Sequence, residues 1–494
     1  MKLGFICDMH LSGGEKSPQF AFLKRGIETL KNANVDAIIC VGDITAFGEL
    51  DALEAYSDSL AFTKHYFVLG NSDVRDVKTR AAVLKQTTGF KFNAQNRVIL
   101  GINTPFGYIA DEDKNSVFTL NDGDILVMHH SVNSLLAESR AFLEEQLNCK
   151  AITVIHGHSH AAYDMDFGKS RVISLRGLDP DKAIGNYPSV VIFDIDEQEI
   201  QYSEEFLKLD DEVFASALDG FGLSCYHNEE DILFATEMDV KCIELRCANG
   251  DDCLSEETIE LTKKWKAKTG GYLSIHMPNL YFNEKGFYGE TGWYNALKFA
   301  KELNADSLTM HPPKVNINDF NDEMRSKFLE LYVFAAKYLE PNVKIGIENL
   351  HLNPGEKEND RGFGYTPEEV SYWIDLINQT AGFDNRVGHV LDVGHARNNG
   401  VFAQRYPLSR WYELMGDKSV AYHLHQVKRE NEKLTNHQAI EDWFGPMISF
   451  VSFFYCRENK IINSAPMFLE VKGFKHYQKT IDAFKKTFIN ANNP

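Results

Sequence analysis

Residues 387–395 read Val387-Gly388-His389-Val390-Leu391-Asp392-Val393-Gly394-His395, an apolar run that stops at an acid and, three residues on, a histidine. The run has the length of a buried strand and the sequence after it is helical, so it reads as one strand-helix unit with a polar residue at the carboxyl end of the strand. The pattern recurs on both sides. Strand candidates at Gly222–Tyr226, Cys242–Arg246, Tyr272–His276, Ser307–His311, Lys344–Glu348, Val387–Asp392, Val420–His425 and Met467–Val471 are each followed by helical text. Eight such pairs across 221–494 match a (β/α)8 barrel in count and in length. One helix start is legible in detail: Thr366-Pro367-Glu368-Glu369 supplies an N-cap hydroxyl, a proline at the first helical position and a capping-box glutamate.

Upstream, residues 1–205 follow a different rhythm. Strands at Leu3–Cys7, Ala37–Val41 and Tyr66–Leu69 alternate with helices after Ser17-Pro18 and over Leu50–Phe62. From Phe90 onward short apolar runs at Ile125–Met128, Ile152–Ile155, Val172–Leu175 and Val190–Ile195 are separated by Gly, Asn and Asp, which fits a sandwich of two mixed sheets. The acidic stretch 206–220 is the expected linker, with room for a short helix. The expected fold is therefore α/β, a sandwich domain at 1–205 followed by a TIM barrel at 221–494.

At 494 residues the chain is long enough for two domains, and 44% apolar with 25% charged residues is an ordinary globular balance. The formal charge of −20 is shared: residues 1–210 carry 20 Lys+Arg against 30 Asp+Glu, leaving 31 against 41 for the rest. The densest basic run, Lys263-Lys264-Trp265-Lys266-Ala267-Lys268, has the spacing of one helix surface. Long nucleic acids reward clustered Lys and Arg through counterion release, so a small phosphorylated substrate is the better expectation. The apolar run Leu3–Cys7 is cut by Asp8, and no stretch approaches about 18 uncharged apolar residues, so no membrane partner and a cytoplasmic location are expected. The eight cysteines are scattered, with Cys242, Cys247 and Cys253 a loose cluster and no C-x-x-C pair; reduced thiols are expected.

Five short signatures follow strand ends in the first domain: Asp8-Met9-His10, Gly42-Asp43, Gly70-Asn71-Ser72-Asp73, His129-His130 and Gly157-His158-Ser159-His160. Strand ends on one edge of an α/β sheet converge in a crevice, so these carboxylate, amide and imidazole groups are expected to meet there as ligands for divalent Mn, Fe or Zn. Two cations about 3.5–4 Å apart repel and need a bridging carboxylate, for which Asp43 is the candidate. This order and spacing resembles the calcineurin-like metallophosphoesterase family over roughly 1–200. The resemblance implies an αββα sandwich, a dinuclear centre with Asp8, His10, Asp43 and His160 on one metal and Asp43, Asn71, His129 and His158 on the other, and phosphoester hydrolysis. Asp43, His129 and His130 are the expected catalytic residues of this domain. Ser72 departs from the usual Gly-Asn-His-Asp reading, in which the histidine protonates the leaving group; His130 is the alternative proton source. His156 and His65 read as core or surface histidines.

The barrel strands end in His276, His311, Glu348, Asp392 with His395 close behind, His423 with His425, and Glu470, and His437 follows in the loop after the seventh strand. Burying so many ionisable groups without a cation costs several kcal/mol each. The set resembles the xylose-isomerase-like barrel superfamily, and within it endonuclease IV, a trinuclear zinc phosphodiesterase of abasic DNA. The resemblance covers roughly 221–490 and implies that His276, His311, Glu348, Asp392, His395, His423, His437 and Glu470 bind two or three Zn or Mn ions, with Glu348 catalytic. Where that family has an aspartate two residues before the loop histidine, this chain has Thr435, which implies a weaker or absent third metal. A sugar isomerase or epimerase would use Glu348, Asp392, Glu470 and one of His423 or His425, but leaves His276, His311, His395 and His437 without a role. Glu244 and Arg246 at the end of the second strand are expected to contact substrate or to pair across the mouth; His351 and His389 are expected to support the site.

Overall fold

In the computed structural model, which describes all residues except 13, 16, 88, 183–187, 204–210, 248–253, 284–285, 354, 431–432, 446–447 and 490–494, the chain divides into two units. The first comprises Met1–Lys208 with Phe444–Tyr455, the second Leu209–Trp443 with Cys456–Pro494. The expected boundary at 205–206, the first part of the expected linker and Cys253 lie outside the described residues. The remainder of that linker is the helix Asp211–Gly220.

Alternation of side chains along the strands builds the first unit in four layers. One sheet has the order Glu199–Tyr202, Val191–Asp194, Lys2–Ile6, Ala37–Val41, His65–Val68; the other runs Phe90–Ala94, Arg97–Gly101, Ile125–Met128, Thr153–His156, Ser170–Ser174, Tyr163–Phe167. Leu3, Phe5, Ile39 and Val41 of the first sheet form one buried cluster with Ile99, Val127, Ile155 and Ile173 of the second. The neighbouring residues face outward: Ile6, Ile38 and Cys40 pack on Leu23, Ile27 and Leu30 of the helix Pro18–Asn32. Leu100, Leu126 and Val154 pack on Leu143 and Leu147 of the helix Ala137–Cys149. Both faces of each sheet are thus covered, which is why a central strand such as Ala37–Val41 is apolar at every position. Each fully buried Leu or Ile contributes about 1.5–3 kcal/mol, and that offsets the burial of polar groups at the ends of the same strands. The returning segment completes this unit: Ser452 touches Asp181, and the Tyr455 ring lies 5.8 Å from that of Phe22.

The second unit is a closed barrel of eight strands, Phe221–Cys225, Cys242–Arg246, Tyr272–His276, Ser307–Met310, Lys344–Glu348, Val387–Asp392, Ser419–Leu424 and Met467–Leu469, each parallel to the next. Two connections differ from the expected strand-then-helix text. After the third strand, Tyr281–Asn283 pairs with Gly286–Tyr288, closed by the stacked Tyr281 and Tyr288 rings at 5.0 Å. After the seventh, Gln426–Glu430 pairs with Lys433–Gln438, which carries His437. The helix at Pro367–Ala381 starts as its sequence predicts, with Thr366 Oγ1 accepting the Glu369 N–H at 3.3 Å. The expected capping-box return of Glu369 is replaced. Its carboxylate accepts the N–H groups of Gly364 and Tyr365 at 3.0 Å each, because the buried Arg361 guanidinium, 2.6 Å away, draws it past Thr366.

Among the described residues the seven cysteines are all free, and no helix is long and apolar enough to cross a membrane. Each unit buries a histidine as a structural group. His156 donates or accepts through Tyr163 Oη at 2.7 Å, and His389 lies 3.2 Å from Asn349 Oδ1 with its ring stacked on Trp411. Burial pushes the pKa of His156 down to about 4 and that of His389 down to about 3. Above about pH 6.5 both are neutral whether the chain is folded or not, so they contribute nothing to pH dependence there. Below it the unfolded chain takes up protons that the folded chain refuses, so stability falls as pH drops from about 6.5 toward the folded values, by about 1.4 kcal/mol per pH unit for each group. Denaturation of metal-free protein at pH 7, 6 and 5 should therefore show a steeper acid loss than a His389→Gln variant; equal slopes would contradict the assignment.

Candidate metal centres

The five signatures of the first unit do converge, from the carboxyl ends of five strands. Asp8 and His10 follow Lys2–Ile6, Asp43 follows Ala37–Val41, Asn71 follows His65–Val68, His129 follows Ile125–Met128, and His158 and His160 follow Thr153–His156. Asp43 sits in the middle. Its Oδ2 lies 3.1 Å from His10 Nε2 and its Oδ1 lies 3.4 Å from His129 Nε2. On the His10 side, ligand atoms of Asp8, His10 and His160 fall within 4.8 Å of one another. On the other side, His129 Nε2 is 3.2 Å from the Asn71 side-chain oxygen and 3.3 Å from His158 Nδ1. With the carbonyl inward, three lone pairs face a common point there, an arrangement a cation satisfies.

The backbone is bent to achieve this. Asp8, His10, Asp43, His158 and His160 all have positive φ, between 46° and 70°, a region that non-glycine residues occupy at a cost of order 1–3 kcal/mol each and that persists where the surroundings enforce it. Gly70 makes room: a Cβ there would stand 2.2 Å from Asp43 Oδ1 and 2.5 Å from its backbone nitrogen. Asp73, last of its signature, is not among the converging groups. It clamps two strand ends together, accepting from Thr45 N at 2.8 Å and Gly70 N at 2.9 Å. Ser72 is buried with its hydroxyl unpartnered, while its backbone N–H donates to Asp43 Oδ1 at 2.8 Å.

Burial and facing charges set the protonation of the cluster. Burial pushes Asp43 up, but the facing His129 charge and the His10 hydrogen bond outweigh it and hold the carboxyl well below its ordinary range. Burial opposes a proton on His129, yet the Asp43 charge carries it up to about 9. His130 differs: burial, then the neighbouring His129 and His158, push it down to about 3, and its ring stacks on His158 at 4.5 Å.

In the barrel, every expected ligand reaches one mouth. Glu348 Oε2 lies 3.2 Å from His276 Nε2 and 3.0 Å from His311 Nε2, and Glu348 Oε1 lies 3.2 Å from His423 Nδ1. His423 Nδ1 also stands 3.3 Å from Glu470 Oε2. Asp392 Oδ2 is 3.1 Å from His395 Nδ1, and Asp392 Oδ1 is 3.1 Å from His425 Nε2. His437 Nε2 is 3.7 Å from Glu470. Three of the ligand groups run in series around the mouth: His276, His311 and Glu348; Glu348, Asp392, His423 and Glu470; and Asp392, His395, His425 and His437. Glu348 and Asp392 each belong to two of these, and His276, His423 and Glu470 form a further group. Burial and the charges of Glu470 and Glu348 push Asp392 well above the usual carboxylate range. Burial resists a charge on His423, but Glu244, Glu348 and Glu470 overcome it and hold the ring protonated. Buried, unpartnered Asp392 Oδ2, His425 Nε2, His437 Nε2 and Glu470 Oε2 fit a multimetal set better than a protein-only one.

Some supporting residues carry little sequence signal. Asp179 lies 3.3 Å from His10 Nδ1, with Gln19 donating to it at 3.1 Å, so it holds the imidazole with Nε2 toward Asp43. Only the acid pair flanking Pro180 could have hinted at it. Asn349 donates to the Asp392 carbonyl at 3.0 Å and accepts the Asp392 N–H at 2.8 Å, tying the fifth strand end to the sixth. The expected Glu244–Arg246 pair does not form: Arg246 binds Glu470 at 2.7 Å, while Glu244, one layer deeper in the barrel, meets His423 Nε2 at 2.9 Å and the hydroxyls of Ser274 and Thr309. His351 contacts the Leu352 carbonyl and Asn436.

A family model for the calcineurin-like phosphoesterase superfamily domain matches residues 1–198, and one for the xylose isomerase-like TIM barrel matches residues 232–485. No curated protein matches the chain. Among solved structures, a dimetal phosphatase from Danio rerio is 14% identical, covers 38% of this chain and 91% of its own, and has a TM-score of 0.30. The IolI protein with a binding zinc atom is 15% identical over 55% of this chain and 97% of its own, with a TM-score of 0.39. A xylose isomerase domain containing protein from Salmonella typhimurium LT2 is 14% identical over 55% and 94%, with a TM-score of 0.35. The chain belongs to the xylose isomerase-like TIM barrel family and joins to that barrel a calcineurin-like phosphoesterase domain, which makes it a hydrolase acting on phosphoester bonds.

Proposed function

We propose that the first unit hydrolyses a small phosphorylated metabolite or nucleotide at a dinuclear centre, and that the barrel holds further cations for a second step on the same substrate. The observation that carries the first part is Asp43, which offers one carboxylate oxygen toward His10 and the other toward His129, each with its own group of ligands behind it. Asp8, His10 and His160 would hold one cation, Asn71, His129 and His158 the other, and Asp43 both. When bound, two divalent cations neutralise the phosphoryl charge and acidify a water. The protein's part is positioning: Asp179 fixes the His10 ring, the Ser72 N–H holds the Asp43 carboxylate, and Gly70 lets the strand end approach. His130, kept neutral beside His158, offers a ring N–H to a phosphoryl oxygen.

The negative charge on both halves of the sequence supports a small substrate over a long duplex, and the barrel's two shared carboxylates support several cations there. In manganese-loaded full-length protein, Asp43→Asn is expected to lower kcat on p-nitrophenyl mono- and diesters at least a hundredfold, and Gly70→Ala nearly as much through the displaced Asp43. His130→Ala should lower kcat/KM about tenfold, the value of one hydrogen bond. Glu348→Gln should leave this generic hydrolysis intact while blocking the second step on the natural substrate. Undiminished turnover in Asp43→Asn would overturn the reading.

A proton count gives an independent check. His129, raised to about 9, carries a proton at neutral pH that cation binding must displace, and His423 and Asp392 are shifted in the same direction. Titrating metal into metal-free protein at pH 7 should release protons, and apparent affinity should rise from pH 6 to pH 8. Uptake without proton release would contradict the assignment of those groups.

A further inference from the structure

We infer that His425 is a metal ligand, closing a third cation position in the barrel with Asp392, His395 and His437. The inference rests on the reading of the barrel as a metal site and adds a residue and a coordination chemistry to it.

Four observations meet at this ring. The ligand atoms of Asp392, His395, His425 and His437 lie within 4.8 Å of one another. His425 is fully buried, and its Nε2 stands 3.1 Å from Asp392 Oδ1 without a hydrogen bond to it; Asp392 Oδ2 and His437 Nε2 are unpartnered as well. Unsatisfied acceptors gathered out of water are expensive unless a cation lies between them. The backbone is shaped to the ring. A Cβ at Gly394 would come within 2.3 Å of the His425 imidazole, and His437 takes a left-handed conformation, φ 57°, to turn toward it. The Gln426 backbone accepts from the other ring nitrogen, which leaves the His425 Nε2 lone pair facing the site.

Thr435 explains why a ring from elsewhere is needed. It lies two residues before His437 on the strand Lys433–Gln438 and pairs with Lys428 across the hairpin, where the ladder register shifts. Its side chain offers no anionic ligand, and His425, just past the end of the seventh strand, supplies the missing donor. Three imidazoles and one carboxylate suit zinc over magnesium or calcium. Four protein ligands suit a closed structural position, so this cation would anchor the hairpin bearing His437, while the position of His276, His311 and Glu348, with three, would remain open to water.

Elemental analysis and zinc equilibrium dialysis on the full chain test this without reference to turnover. His425→Ala should bind one zinc fewer per chain than the parent, and the double variant His425→Ala with Thr435→Asp should regain it. Gly394→Ala, which displaces the ring without deleting it, should weaken the same zinc at least tenfold. Zinc content and affinity unchanged in both His425→Ala and Gly394→Ala would overturn the inference. If Glu348→Gln too leaves the zinc count unaltered, the barrel holds no cation and the underlying reading fails with it. Should His425→Ala not fold, anomalous scattering from zinc-loaded crystals of the parent decides: a peak about 2.0–2.1 Å from His425 Nε2 supports the ligand, and filled neighbouring positions with none there overturn it.

Discussion

Charged and ionisable side chains taken out of water must be compensated, and both units of this protein place such groups where strands run out. In the sandwich, Asp8 and Asp43 are buried among four histidines; in the barrel, Glu244, Glu348, Asp392 and Glu470 are buried among His276, His395, His423 and His425. Protein-only contacts compensate some of them in part: Glu244 stands 2.9 Å from His423 Nε2, and Arg246 binds one oxygen of Glu470. They leave others in conflict, since burial, and then the charges of Glu470 and Glu348, push the Asp392 carboxyl well above its usual range. Apolar layers hold the strand ends fixed, and the strained ligand backbone of the sandwich shows that geometry at this edge takes precedence over local conformational preference.

The two centres reach a shared carboxylate by different routes. A single acid, Asp43, divides its two oxygens between two groups of ligands in the sandwich. The barrel uses two acids in series, with Glu348 joining the first ligand group to the second and Asp392 the second to the third. The sequence order of these residues follows from the architecture: successive parallel strands deliver successive ligands around one mouth, so groups adjacent in the chain become adjacent in space.

That regularity is why so much was legible in the amino-acid sequence. A polar residue closing an apolar run marks a strand end, and the barrel's eight runs and the sandwich's five signatures all sit where such ends were expected. What the sequence hid lies off that rule. Asp179 sits beside a proline in a connection after the strand Ser170–Ser174, where an acid is ordinary turn chemistry. Asn349 looks like a loop residue, yet it stitches two strand ends through backbone groups. Glu244 and Arg246 share a face by strand periodicity but differ in depth, so each finds a different partner. Glu369 bypasses the cap its spacing predicts because Arg361, eight residues earlier, is the stronger attraction.

The first unit is assembled from two stretches of chain, Met1–Lys208 and Phe444–Tyr455. Protein synthesis proceeds at about 5–20 residues per second, so the ribosome needs on the order of ten to fifty seconds to translate the intervening sequence. Throughout that interval the sandwich exists as a nascent domain without its last piece, and Asp181 awaits Ser452. Maturation of the amino-terminal unit is thereby timed by elongation through the barrel, and a stalled or truncated message would leave it unfinished although its own first two hundred codons had been read.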